Sequence, residues 1–155
     1  MSYNPKLKAV VTQNIDGLHQ AAGSKRVLKL HGNWTRLECT GCGARSTIDD
    51  FDEARAGRVP HCPSCSAVVR PDIVFYGEAL DPATLEGAVL AIAGADMLIV
   101  GGTSLAVYQA AGLIDYYQGG RLVLMNATPT PYDGRADLII REPIGRVFAQ
   151  IQGHV

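Results

Sequence analysis

Met97-Leu98-Ile99-Val100-Gly101-Gly102-Thr103-Ser104 is a continuous apolar run that stops at a glycine turn followed by two hydroxyl side chains. So short a run, apolar without alternation, reads as a strand covered on both faces. Ala106 to Tyr117 continues with helical character and is closed by Gly119-Gly120, which completes a strand, glycine turn and helix. The same alternation extends in both directions. Upstream, Asp81-Pro82 offers an N-cap with proline at the first helical position, and Leu85, Val89, Ile92 and Ala93 keep helical spacing up to Gly94. Downstream, Leu122–Met125 and Leu138–Ile140 are short apolar runs separated by a turn segment with Pro129, Pro131 and Gly134, and Ile144 to Ile151 predicts a closing helix. Near the start, Leu7 to Val11 predicts a strand, Asp16 to Ala22 a short helix stopped by Gly23, and Arg26 to Leu30 a second strand that runs into His31-Gly32. This pattern predicts an α/β fold, a Rossmann-like parallel sheet with helices on both faces. Between Arg36 and Val69 both periodicities fail while Cys, Gly, Pro and Ser accumulate, which predicts a separate small module.

The chain has 155 residues, 47% of them hydrophobic and 19% charged, which suits a folded globular protein and excludes a disordered tail or a fibrous rod. Its formal net charge of -1 provides no overall basic field for a phosphate backbone or an anionic membrane, so neither nucleic acid nor membrane is an expected partner. Met1 to Lys6 has no signal-like apolar run, and the longest apolar stretch, Ala88 to Gly102, is broken by Asp96. A cytoplasmic protein is expected.

Cys39-Thr40-Gly41-Cys42 and Cys62-Pro63-Ser64-Cys65 are two cysteine knuckles, nineteen residues apart (43–61), which is a spacing for a four-cysteine zinc ribbon. Each two-residue gap lets a tight turn aim both sulfurs at one ion, and four thiolates complete a tetrahedron with no position left for substrate. A structural Zn2+ held by Cys39, Cys42, Cys62 and Cys65 is therefore expected. Four free or redox-active thiols are the alternative, and His61 is a neighbouring ligand type that four cysteines make unnecessary.

Thr12-Gln13-Asn14-Ile15-Asp16-Gly17-Leu18-His19 puts several hydrogen-bonding side chains just after a strand, at the carboxyl edge where open parallel sheets bind ligands. Asn and Gln can fix an amide or a sugar hydroxyl. Asp16 can accept from a carboxamide or cap the following helix, and His19 can equally be a surface residue. His31, at the end of the second strand, is a candidate general base because imidazole titrates near neutrality. Gly102-Thr103-Ser104 completes no phosphate-binding fingerprint, but offers backbone N–H groups and hydroxyls at a helix start. Asn126, closing the next strand, either reads a ribose hydroxyl or terminates the strand.

Several of these segments stand together in an order that resembles the C-terminal two-thirds of a sirtuin, an NAD-dependent protein-lysine deacylase. They are Thr12 to His19, Leu30-His31-Gly32, the paired cysteines, Arg70-Pro71-Asp72-Ile73-Val74-Phe75-Tyr76-Gly77-Glu78 and Gly102-Thr103-Ser104-Leu105. The resemblance implies a transferase that uses NAD as co-substrate and passes the acyl group of an acyl-lysine protein or peptide to ADP-ribose, releasing nicotinamide. It implies His31 as the catalytic base with Asn14 and Asp16 beside it, and Gln13, Asn14, Ile15 and Asp16 around the nicotinamide and its ribose. Gly102, Thr103, Ser104, Asn126 and the backbone near Ile144 fall on the adenosine side. Val74, Phe75, Tyr76 and Gly77 match the extended segment along which an acyl-lysine peptide adds as a strand, with ordinary core packing the alternative for Val74 and Phe75. An NAD-binding domain over 1–35 and 70–155 and a zinc-binding module over 36–69 follow from the same resemblance.

The family's glycine-rich first βα unit, which receives the diphosphate, has no counterpart in this sequence, so the expected NAD-binding domain is incomplete. Arg141-Glu142-Pro143-Ile144-Gly145 also departs from the family's run near the adenine. Two sheet edges are consequently expected to lack partners, to be hidden by a homo-oligomer or by a complementing N-terminal segment. The alternative to an enzyme is a non-catalytic zinc-containing module that binds nucleotide or peptide. A zinc-ribbon nucleic-acid binder is disfavoured by the few basic residues of the ribbon.

Overall fold

The computed structural model describes residues 6–105 and 108–152. The chain divides into two compact units, Met1–Leu85 and Glu86–Val155, with the helix α3 (Pro82–Ala93) crossing the division.

The first unit opens with β1 (Val10–Thr12), which pairs in parallel with β2 (Val27–Lys29) across the short helix α1 (Leu18–Ala21). The expected helix from Asp16 is shorter because Asp16 stays outside it. Its Oδ1 accepts the Leu18 N–H at 2.9 Å, and Gly17 takes φ +78°, a left-handed turn that a side chain would strain. Helix α1 is therefore a single turn. The strand expected over Leu7–Val11 is shifted and ends at Thr12, whose Oγ1 accepts the Asn14 N–H at 3.1 Å and turns the chain out of the ladder.

The cysteine-rich segment has its own antiparallel sheet, in the order β4 (Arg45–Thr47), β3 (Gly32–Cys39) and β5 (Val69–Ile73), with α2 (Asp52–Arg55) in the connection between β4 and β5. Sequence periodicity failed here because the sheet is anchored by few apolar side chains. Leu37, Cys39, Phe51, Cys62 and Val69 form the buried cluster, with Ile48, Ala54 and Ala67 packed against it, so two of the cysteines are core residues. Strand β3 slips register against β5 between Asn33 and Leu37. At the slip, Asn33 Oδ1 accepts the Thr35 N–H at 3.1 Å and its hydroxyl at 3.0 Å, a local substitute for the interrupted ladder. Gly32, at φ +78°, begins β3 opposite Ile73, and a Cβ there would lie 2.1 Å from the Asp72 carbonyl oxygen.

Helix α3 starts as its sequence predicts. The Asp81 carboxylate accepts from the backbone N–H and the hydroxyl of Thr84, both at 2.7 Å, which caps the first turn and holds the carboxyl below its usual range. In the second unit, β6 (Leu98–Gly101), β7 (Leu122–Met125) and β8 (Leu138–Ile140) form a parallel sheet in that order. All four residues of β7 are buried, whereas Ile99, Leu138 and Ile139 on the outer strands stay partly exposed. Val123, Met125 and Val147 form a buried cluster, which brings α5 (Ile144–Gln152) onto the sheet. The helix expected over Ala106–Tyr117 is broken. Its first two residues lie outside the described residues, and α4 (Tyr108–Ala111) tightens into a 3₁₀ segment over Gly112–Tyr116. Glycine at the junction weakens the helix, and the Tyr117 hydroxyl ties its end down, donating to the Asp96 carbonyl at 3.0 Å and accepting the Arg121 N–H at 3.0 Å.

The parallel α/β character expected from the sequence is therefore present, carried by separate parallel sheets in the two units. Among the described residues, β1 pairs only with β2, and β6 only with β7.

Gly32→Ala combines a left-handed backbone with a blocked Cβ position and should destabilise the first unit by about 2 kcal/mol or more. Gly134→Ala, where a Cβ meets nothing within 4 Å, should stay within about 0.5 kcal/mol. Urea unfolding of both variants measures the difference.

Candidate functional site

The residues singled out from the sequence fall into two groups, one in each unit. In the first unit, the loop after β1 carries Gln13, Asn14, Ile15 and Asp16, with Asn14 and Asp16 exposed and Gln13 and Ile15 half-buried. His31 is fixed by the main chain on both sides. The Leu30 N–H donates to the Thr12 carbonyl at 2.9 Å, which extends the β1–β2 ladder to the foot of the polar loop. The His31 carbonyl accepts the Val74 N–H at 3.1 Å, and the Trp34 N–H reaches the Ile15 carbonyl at 3.5 Å. The imidazole is half-buried and follows directly on the residue paired with the tip of β1. The polar loop, the candidate base and the segment Val74–Gly77 are thus joined by consecutive backbone hydrogen bonds.

That segment is not core. Phe75 is 48% exposed and Tyr76 fully exposed, so the packing alternative fails for Phe75, while Val74 is half-buried. The turn is closed by the Glu78 N–H donating to the Phe75 carbonyl at 3.0 Å, with Gly77 at φ +87°. Glu78 in turn accepts two guanidinium N–H groups of Arg70, at 2.9 Å each, and the Phe75 N–H at 3.0 Å. The Arg70 guanidinium, and next the Phe75 N–H, hold the Glu78 carboxyl down at about 2.

The four cysteines converge as their spacing predicts. Their sulfurs all lie within 4.8 Å of one another, with Cys39–Cys65 at 3.4 Å and Cys42–Cys62 at 3.7 Å. Four thiolates at about 2.3 Å from one tetrahedral ion would stand about 3.8 Å apart, so the donor set fits zinc in number, chemistry and spacing. His61 is exposed and outside this group. The N–H groups of Cys42 and Gly41 point at the Cys39 sulfur, at 3.5 and 3.4 Å, and hold its thiol down at about 6. At Cys65 the Ala67 N–H lowers the thiol, but the neighbouring sulfurs outweigh it and push it up to about 12. The opposite shifts at Cys39 and Cys65 follow from four sulfurs crowded within 4.8 Å, a crowding that a divalent cation bound at their centre would relieve. Gly41, which sequence reading left out of the site, is needed there because a Cβ would lie 2.7 Å from that of Ala67.

In the second unit, Gly102, Asn126 and Ile144 lie at or just beyond the carboxyl ends of β6, β7 and β8. The Gly102 N–H donates to the Met125 carbonyl at 3.1 Å, and the Asn126 N–H to the Ile140 carbonyl at 3.1 Å. Gly101 leaves room for Ile144, whose Cδ1 is 2.4 Å from where a Cβ would stand. Thr103 Oγ1 accepts the Leu105 N–H at 3.2 Å, and Ser104 is exposed. The Gly102 N–H is therefore engaged, and is not the free donor suggested by the glycine turn. The Asn126 side-chain amide donates to the Thr128 carbonyl at 2.9 Å, and Arg141 bridges the Asn126 and Thr128 carbonyls to Asp133. Arg141, noted in the sequence only as part of a departing run, and Asp133, which sequence reading passed over, fix this turn.

The model of the Sir2 family matches residues 1–109. An NAD-dependent protein deacetylase of Clostridium acetobutylicum is 49% identical over 146 residues, covering 94% of this chain and 59% of the relative. One from Clostridium perfringens is 50% identical over 147 residues, with the same coverage. The chain thus spans about 59% of the length of these curated relatives. Among solved structures, "Sir2 bound to acetylated peptide" superposes with a TM-score of 0.88 at 39% identity, covering 95% of this chain and 63% of that one. "Sir2-p53 peptide-NAD+" gives 0.87 at 39% identity, covering 95% and 62%.

Purified chain should carry about one zinc per molecule, and chelation should expose the amides of β3 and β5 to hydrogen exchange together with loss of the metal. Carbon-detected titration of Glu78 should find its midpoint near 2, below the ordinary 4.5. Because the folded value is the lower one, the ion pair should contribute fully above the ordinary value and be lost as pH falls through about 2.

Proposed function

Because the chain belongs to the Sir2 family, we propose that it contributes to, or performs, NAD-dependent removal of acyl groups from protein lysines. The products are nicotinamide, free lysine and acyl-ADP-ribose. The observation that carries this reading is the pair of main-chain bonds around His31, Leu30 N–H to Thr12 and Val74 N–H to the His31 carbonyl, which join the residue on one side to a polar loop and on the other to an exposed segment.

NAD, when bound, supplies the electrophilic ribose carbon and the nicotinamide leaving group. The chain's own groups have separable tasks. Asp16, exposed beyond β1, accepts from a carboxamide N–H, and Asn14 beside it orients a ribose hydroxyl or a water. Gln13 and Ile15 line the same loop. His31 takes a proton from a ribose hydroxyl, the general-base task that a neutral imidazole nitrogen can perform. Val74 to Gly77 receives the acyl-lysine peptide as an added strand. Gly102, Thr103, Ser104, Asn126 and the Ile144 backbone take the adenosine side. The cysteine module would hold Zn2+ with all four positions filled, leaving it a structural part. By role, residues 1–35 and 70–155 then serve nucleotide binding and 36–69 the metal. A cytoplasmic location accords with four paired cysteines kept reduced, and the one-sided pairing of β1 and β6 favours an added strand from a complementing segment or a second copy.

A second reading, a zinc-containing module that binds peptide or nucleotide without turnover, is favoured by the engagement of the Gly102 N–H with Met125. Incubation with NAD and an acetyl-lysine peptide separates the two. Nicotinamide release that falls about a thousandfold in His31→Ala supports the enzyme. Peptide binding with no release supports the module.

A further inference from the structure

Arg70 lies on β5 and Glu78 beyond the turn that follows it, yet the two side chains form a closed, two-pronged ion pair, NH1 to Oε1 and NH2 to Oε2, both at 2.9 Å. A pair this exposed, at 39% and 40%, contributes little to global stability. Its contacts are instead concentrated on one short stretch of main chain. Arg70 also donates to the Ile73 carbonyl at 3.1 Å, and its guanidinium carbon stands 4.8 Å from the Phe75 ring centroid. Glu78 accepts the Phe75 N–H through its side chain and donates its own N–H to the Phe75 carbonyl. Every one of these contacts falls between Ile73 and Glu78, the stretch that precedes and includes Tyr76, whose side chain touches nothing that shields it from solvent.

We propose that Arg70 and Glu78 are positioning residues for the peptide substrate, holding the exposed segment Val74–Gly77 and the turn that closes it at Glu78 in one fixed shape before the peptide arrives. The inference rests on the reading of Val74–Gly77 as the peptide-binding segment. An extended peptide that adds to a mobile loop must order that loop as it binds, and a clamp removes the cost beforehand. The clamp also selects the donors left to the peptide. The Val74 N–H is engaged by the His31 carbonyl and the Phe75 N–H by the Glu78 carboxylate, so these two donors are withheld from the peptide while the clamp is closed. Since Val74 is bonded to the His31 carbonyl, the clamp fixes the register of the peptide relative to the candidate base.

Calorimetric titration of the full chain with an acetyl-lysine peptide tests this in the wild type, Arg70→Lys and Glu78→Gln. Arg70→Lys keeps the charge but loses the fork, and Glu78→Gln keeps an acceptor for Phe75 but loses the ion pair. Both should raise Kd about tenfold, with zinc content and the hydrogen-exchange protection of β3 unchanged and faster exchange at the Phe75 and Glu78 amides. Unchanged Kd in both variants, with peptide binding intact in the wild type, would overturn the positioning role alone. Weakened binding accompanied by zinc loss or by exposure of β3 would assign the pair to the stability of the module and overturn it too. A wild-type chain that takes up no peptide would overturn the peptide-binding reading, and the clamp's role with it.

Discussion

The Asp72 carbonyl oxygen lies 2.1 Å from the place where any side chain at position 32 would put its Cβ. That approach is open only to glycine, and it lets β3 and β5 meet immediately after His31. Much of the first unit depends on it. With Gly32 against Ile73, the His31 carbonyl reaches the Val74 N–H, and the metal module's sheet begins one residue after the candidate base. A larger residue would open the pair at its first rung and separate the imidazole from the exposed segment. Backbone geometry at one position therefore decides whether His31 and the exposed segment stay next to one another.

What the sequence made legible were features with a local physical cause. Asp81-Pro82 announced α3 because a carboxylate cap and a fixed proline φ act within one turn. Leu122–Met125 announced β7 because a strand buried on both faces needs four consecutive apolar side chains. The cysteines announced a metal clip because a two-residue gap has one useful geometry. The illegible parts depend on partners distant in sequence. The sheet β4–β3–β5 has a core in which cysteines stand where aliphatic residues would otherwise mark the strands. The helix expected through Tyr117 narrows to a 3₁₀ turn because a phenol twenty-one residues from Asp96 ties its end to that carbonyl.

The candidate site was legible in type more than in detail. Asp16 was open to a capping or a ligand role; Gly17 takes the cap position instead, and Asp16 accepts the Leu18 N–H in a local turn ahead of the helix while its carboxylate stays exposed. Phe75 could have been core and is not. Gly102 looked like a free donor and is bonded to Met125, because parallel pairing continues one residue past the end of β6. The relation of Arg70 to Glu78 required the turn at Gly77 to be seen, since eight residues of sequence carry no hint that two side chains meet across them.

Cys39 and Cys62 belong at once to the thiolate cluster and to the apolar cluster with Leu37, Phe51 and Val69. Metal occupancy and apolar packing in this module are consequently one equilibrium, in which cellular zinc supply acts as a folding ligand. Scarcity of the ion would reach His31 through β3, which begins at Gly32 and ends at Cys39. A strand that holds only Cys39 of the four cysteines would carry that loss from the metal clip to the end of β2.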